Sequence, residues 1–219
     1  MTREKNKPKH ESSLEAEHQN QLGLERLVFF SDAVMAIAIT LLAIEIKVPE
    51  IAIDLAAKEL PNAIADLWPK LMAFFISFVV IGGNWISHHA MFRMLRRYDR
   101  RLLWLNLFHL LFVALMPFTT AVVGEYGILP FAQVFYAASV AVTLLTRDLA
   151  WLYASHRGRL LDETITADQV RKVTINELTK PAVFLVSIPF AFVSPWIPIL
   201  MWALAPIWYS IVGRLAGVR

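Results

Sequence analysis

The chain has 219 residues, of which 57% are hydrophobic and 18% charged, and its mean hydropathy is +0.52. A soluble domain runs at roughly 45–50% apolar and about 25% charged residues, so an aqueous globule of this length could not hide the excess, and a bilayer is the better solvent. Cysteine is absent, which excludes disulfides, thiol nucleophiles and cysteine-based metal sites, and the basic residues behind the net charge of +3 sit in short runs between apolar stretches, a pattern of membrane topology rather than of a nucleic-acid face.

Residues 1–25 are polar and lysine-rich near the start, with no apolar h-region. They read as a cytoplasmic N-terminal tail, not a cleaved signal peptide. The first apolar stretch, 27–48, is long enough to cross a hydrocarbon core of roughly 30 Å and stops at Pro49. Segment 50–67 sets Glu50, Asp54, Glu59 and Asp66 against Lys58 among apolar residues, the pattern of a short amphipathic helix at the interface. A second span, 68–92, is followed by Arg93, Arg96, Arg97, Arg100 and Arg101. A third covers 102–123, and the turn after it, 124–130, carries no Lys or Arg. A fourth span, 131–153, holds Arg147 and Asp148 towards its end, where both are expected to snorkel to the interface.

Segment 155–180 is the longest polar stretch within the apolar part, with helical periodicity over 166–178. Apolar sequence then runs to Gly213, broken by Pro189, Pro195 and Pro198, and reads as two short helices joined near Ser194 and Pro195. The count is six spans over 26–214, with a short tail at 215–219. Basic residues concentrate in the N-terminal segment, in 93–101, in 154–180 and at the C-terminus. These four segments share a side when the spans number six, and the positive-inside rule then puts both ends in the cytoplasm of a multi-pass cell-membrane protein.

The first span carries the unusual chemistry. It opens Arg26-Leu-Val-Phe-Phe30-Ser31-Asp32. A carboxylate at the centre of a membrane helix costs about 2.5–3.5 kcal/mol, less near an end, so Asp32 is expected to be paired or to face protein. The plain alternative is a helix N-cap. Arg26 is six residues away and not on the same helical face. Further along, Ile37, Leu41 and Ile44 fall at i, i+4 and i+7 with Thr40 beside them. On spacing alone such a stripe is most often packed core; it becomes a pore wall only when several copies meet on an axis.

The second span ends in Trp85, His88 and His89. Adjacent histidines point to different sides of a helix, which argues against joint metal ligation. They are either an interfacial pair with a Trp anchor, or one of them bonds Asp32, Arg26 or Ser31 at the same depth, with Asn106 and His109 of the third span able to join. Gly82-Gly83 reads as a site of close helix packing. The sequence contains no P-loop, zinc motif, Gly-x-Ser-x-Gly elbow or Thr-Val-Gly-Tyr-Gly filter. Neither an enzyme, a cofactor nor a resident metal is therefore expected.

The run Arg26-x-x-x-Phe30-Ser31-Asp32 followed by Ala-Val-Met-Ala-Ile-Ala-Ile-Thr-Leu-Leu resembles the transmembrane protein 175 family of potassium channels in its prokaryotic single-repeat form. Trp85-x-x-His88-His89, Leu-Leu-Trp104-Leu-Asn106-Leu and Met116-Pro117-Phe118 fit the same family. The resemblance implies an all-α fold with six transmembrane helices per subunit, and a homotetramer whose first helix lines a central pore. By position it makes Ile37 the main constriction and Thr40, Leu41 and Ile44 further pore-lining residues. It places Arg26 and Asp32 in a polar network with Trp85 and either His88 or His89. The implied function is passive potassium permeation with no selectivity loop. The competing expectation is a proton-coupled secondary transporter using Asp32 and His88 or His89.

Overall fold

The computed structural model describes residues 9–215 and 217, with side chains from His18 onward. The described residues form seven α-helices: α1 (Lys9–Ile44), α2 (Ile53–Asp66), α3 (Trp68–Phe92), α4 (Arg100–Tyr126), α5 (Pro130–Ser155), α6 (Ala167–Ser187) and α7 (Trp196–Leu215). Short 3₁₀ turns follow α5 and α6, at His156–Gly158 and Ile188–Phe192. Five segments are long and apolar enough to cross a membrane: His18–Ile44, Trp68–Phe92, Arg100–Tyr126, Pro130–Gly158 and Trp196–Leu215. α6 is not among them, because its first half lies in the polar stretch and only its second half is apolar.

The local reasons for these elements are readable. α1 starts at Lys9, inside the segment read as a tail, and runs unbroken through the Phe30-Ser31-Asp32 motif. α2 matches the amphipathic stretch and buries none of its residues within the chain. Asp99 caps α4 by accepting the Leu102 N–H at 2.9 Å. Thr166 and Gln169 form a reciprocal capping box at the start of α6. The last apolar block breaks over 193–195, between the second 3₁₀ turn and α7, which begins one residue after Pro195.

The two basic loops meet at one end of the bundle. Backbone N–H groups of Arg96 and Arg97 donate to the Leu160 carbonyl, and Asp162 N–H donates to Met94 O. Arg96 also pairs with Glu163 at 3.0 Å. α1 reaches that end too, where Gly23 lies directly against the Tyr98 ring. Any side chain at Gly23 would strike that ring, so glycine is the residue that lets α1 approach.

The core runs along the middle of the bundle. Met35, Ala38 and Leu42 of α1 pack with Ile81 of α3, Val113 and Met116 of α4, Val140 and Leu144 of α5, Phe184 of α6 and Trp202 of α7. Such burial of bulky side chains is what truncation removes, at about 2–5 kcal/mol per large-to-alanine change.

Candidate functional site

α1 has two faces of opposite character. Ser31, Met35, Ala38 and Leu42 are buried against the bundle. On the other side Ile37 is 58% exposed, Leu41 40% and Ile44 70%, with Thr40 exposed between them. The expectation from spacing, that the Ile37/Leu41/Ile44 stripe is packed core, is therefore overturned within the subunit. Past Asp32 the helix is apolar nearly all round, so two stripes share the helical period and periodicity could not choose between them. Thr40 donates its hydroxyl proton to the Ile37 carbonyl at 2.9 Å. Its oxygen keeps lone pairs free on the uncovered side.

The buried face is tied down by polar side chains. Ser31 donates to the Leu27 carbonyl at 2.8 Å and accepts from Asn106 Nδ2 at 2.9 Å. That fixes the Asn106 amide, so its Oδ1 faces His88 Nε2 at 2.8 Å. A carbonyl oxygen only accepts, so His88 carries its proton on Nε2. Asp32, half-buried, accepts from Trp85 Nε1 at 2.8 Å. Asp32 lies far inside a 36-residue helix, which removes the N-cap alternative.

Other residues named from the sequence sit differently. His88 is buried and its ring stacks on Phe92 with centroids 4.2 Å apart. His89 is half-buried, its ring 6.0 Å from that of Trp85. Neither histidine hydrogen-bonds Asp32 among the described residues, so the Asp–His proton relay of the transporter alternative has no direct link. Arg26 is exposed and makes no hydrogen bond or ion pair among the described residues. Phe30, also exposed, lines a shallow cleft between α1 and α4 with Trp104 and Phe108.

A second polar cluster overturns another expectation. Arg147 and Asp148 do not snorkel; each is only 1% exposed. Arg147 Nη2 donates to Asp148 Oδ1 at 2.8 Å and to Glu177 Oε2 at 2.7 Å, and Nη1 to Asn84 Oδ1 at 3.1 Å. Lys180 donates to both Glu177 oxygens at 2.6 and 2.7 Å and to Ser87 at 2.6 Å. Two cations and two carboxylates thus form a balanced group, with Lys180 half-buried and the other three buried, which is how ionised side chains survive in low dielectric. Because Asn84 Oδ1 takes the arginine, its Nδ2 is left to donate to His109 Nε2 at 3.3 Å. The His109 proton then lies on Nδ1, facing Thr143 O at 3.0 Å.

α3 belongs to both clusters. Trp85 and His88 bond α1 and α4, while Asn84 bonds α5 and α4 and Ser87 bonds α6. The His88 and His109 rings stack with centroids 5.9 Å apart where the two clusters adjoin. Gly82 and Gly83, one turn away, do not mediate close packing in the subunit, since a Cβ at either would meet nothing within 4 Å. No group of three His, Asp or Glu side chains that could hold a metal occurs among the described residues.

Membrane-length helices, a first helix with one face anchored by buried polar bonds, and a bulky apolar face on its other side define a polytopic α-helical membrane protein organised around that first helix. Residues 26–117 match the family described as endosomal/lysosomal potassium channel TMEM175. A potassium channel of Chamaesiphon minutus is 34% identical over 189 residues, covering 85% of this chain and 92% of the relative. A potassium channel of Streptomyces collinus is 34% identical over 189 residues, covering 84% and 90%. The crystal structure of a lysosomal potassium-selective channel TMEM175 homolog from Chamaesiphon minutus superposes with a TM-score of 0.73 at 31% identity, over 87% of this chain and 98% of that one. The chain belongs to the TMEM175 family.

Proposed function

We propose that the protein is a potassium-permeable cation channel of the cell membrane, built from four copies with α1 of each around a central axis. The observation that carries this reading is the uncovered Ile37–Thr40–Leu41–Ile44 face on a helix whose opposite face is fully committed to the bundle. Family membership supplies the ion. Both ends are cytoplasmic in this reading, supported by the basic loops 93–101 and 156–163 meeting at one end together with the start of the α1 span. Residues 26–214 form the channel domain, between tails at 1–25 and 215–219. Its sixth span is the apolar second half of α6 with the 3₁₀ turn after it.

Four Ile37 side chains on the axis make a hydrophobic constriction. Such a narrowing conducts when it is wet and closes by dewetting, so a small shift of α1 suffices to gate it. An ion that crosses must shed water, which favours the more weakly hydrated potassium over sodium. Four Thr40 oxygens, their protons held by the Ile37 carbonyls, offer acceptors one turn from the constriction. No separate filter loop takes part. Asp32, Ser31 and their partners Trp85, Asn106 and His88 set how far α1 stands from the bundle, and hence the radius of the pore. Purified protein in liposomes tests this. Ile37→Asn should raise resting potassium flux several-fold and weaken discrimination against sodium; unchanged flux and selectivity would remove Ile37 from the pathway.

A further inference from the structure

A cavity of about 460 Å³ opens among α3, α5, α6 and α7, beside the buried charge cluster. We propose that it is a binding site for one anionic phospholipid of the cytoplasmic leaflet, and that its occupancy bears on the pore helix. The first support is the division of its wall. One part is hydrocarbon-like, with Phe78, Val79, Trp202 and Pro206. The other is polar, with Asn84, Ser87, Arg147, Lys180, Tyr209 and Ser210. A lipid has the same two parts.

The second support is the sign of the polar part. Arg147 and Lys180 form part of the wall, whereas their carboxylate partners Asp148 and Glu177 do not reach it. The cavity therefore meets two cations neutralised from behind, and a phosphate bearing net negative charge complements it. Arg147 uses four donor contacts, two to Asp148 and one each to Glu177 and Asn84, and a guanidinium has five N–H groups. The third support is room. Gly82 and Gly83 face the cavity with nothing within 4 Å of an added Cβ, and the volume falls within the usual range of small-molecule sites, about 300–1,000 Å³.

Depth selects the leaflet. The polar wall sits towards the helix ends that carry the basic loops, the cytoplasmic side of the channel reading. Arg171, Lys172 and Arg214 lie further towards that end of α6 and α7. Basic residues near the cytoplasmic surface draw anionic lipid.

The floor connects to α1 through neighbours on α3. Asn84 and Ser87 hold Arg147 and Lys180, while the residues next to them, Trp85 and His88, hold Asp32 directly and Ser31 through Asn106. A headgroup that competes for Arg147 or Lys180 acts on the stretch of α3 that positions the pore helix. This half of the inference rests on the channel reading; the binding half does not.

Native mass spectrometry of full-length protein, reconstituted with phosphatidylglycerol and phosphatidylcholine in equal amounts, tests the site. The expected result is one phosphatidylglycerol retained per subunit, at least tenfold over phosphatidylcholine, and its loss in Gly83→Leu, which fills the cavity. Equal retention of both lipids, or undiminished phosphatidylglycerol in Gly83→Leu, overturns the site. Loss of the oligomer in Gly83→Leu with lipid still retained would assign the cavity to a second copy of the chain instead. Thermal protection by inorganic phosphate alone, as large as that by the lipid, would overturn the lipid assignment. Lys180→Gln, checked for folding by circular dichroism, should bind at least tenfold less. Potassium flux is then compared in the two pure lipids. A change of at least twofold, absent in Gly83→Leu, is expected. Equal flux with lipid retained overturns the regulatory half alone, and no flux in either lipid counts against the channel reading while leaving the site standing.

Discussion

The two polar clusters share α3 but hold different things. The Ser31–Asp32 cluster has one carboxylate, the half-buried Asp32, which accepts from Trp85 of α3, while its neighbour Ser31 accepts from Asn106 of α4. The Arg147 cluster has four charged members, mutually neutralised across α5 and α6, with Arg147, Asp148 and Glu177 buried and Lys180 half-buried at the cavity wall. Neutral hydrogen bonds inside a membrane bundle are individually weak, averaging about 0.6 kcal/mol and reaching about 1.7. Breaking a buried ion pair costs about 3–5 kcal/mol. The first cluster is thus the weaker hold, suited to a helix that must shift slightly, and the second the stronger one, suited to a scaffold.

That contrast can be broken at either end. The largest effect is expected from Glu177→Ala, which strands Arg147 and Lys180: a stability loss of about 3–5 kcal/mol, read as a lower thermal midpoint in detergent. Replacing the set together, Arg147→Met with Glu177→Leu, Lys180→Met and Asp148→Asn, should recover much of that loss, because no buried charge then remains. Next, Trp85→Phe deletes the donor to Asp32, and a hydrogen bond to a charged group is worth about 1.5–3 kcal/mol. Its stability loss should be smaller than that of Glu177→Ala and its effect on potassium flux larger. The reverse ranking would erase the distinction between gate support and scaffold. Ser31→Ala, removing a neutral bond, should cost about 0.6–1.7 kcal/mol with an intermediate effect on flux.

The smallest effect belongs to the loop end. Burial resists ionisation of Asp99, but the Tyr153 hydroxyl and the Leu102 N–H outweigh it and hold its carboxyl below the ordinary range. A depressed folded pKa gives stability that is present above the unfolded value, about 3.9, and lost as pH falls through the folded one. Asp99→Ala should cost about 1 kcal/mol at pH 7 as a lost cap. It should also flatten the fall in thermal midpoint between pH 5 and pH 3; an unchanged acid slope would remove Asp99 as its source.

Much of this was legible in the sequence. The amphipathic α2, the break before α7 and the polar first half of α6 followed from hydropathy and proline placement. The depth match sets a histidine against Asp32, Arg26 or Ser31, and His88 reaches Ser31 only through Asn106; the Trp85–Asp32 bond comes from the family resemblance and not from depth. What it could not supply was the identity of faces and of distant partners. The apolar run 33–44 of α1, broken only by Thr40, offers equal periodicity for the 35/38/42 stripe and the 37/41/44 stripe. Arg147 looked interfacial because it lies near the end of its span, and its decisive partner, Glu177, stands in a stretch that reads as polar surface. Only packing α6 against α5 turns that surface inward.

The central claim is that the uncovered stripe of α1 faces an ion pathway. With no native cysteine in the chain, single cysteines at Ile37, Leu41, Ile44 and Ala38 can be tested one at a time with a charged, thiol-reactive methanethiosulfonate during single-channel recording of potassium current. Modification at 37, 41 and 44 should block or strongly reduce the current, while position 38, buried in the bundle, should be silent. Current that survives modification at Ile37, or block at Ala38 with none at Ile37, would contradict the account.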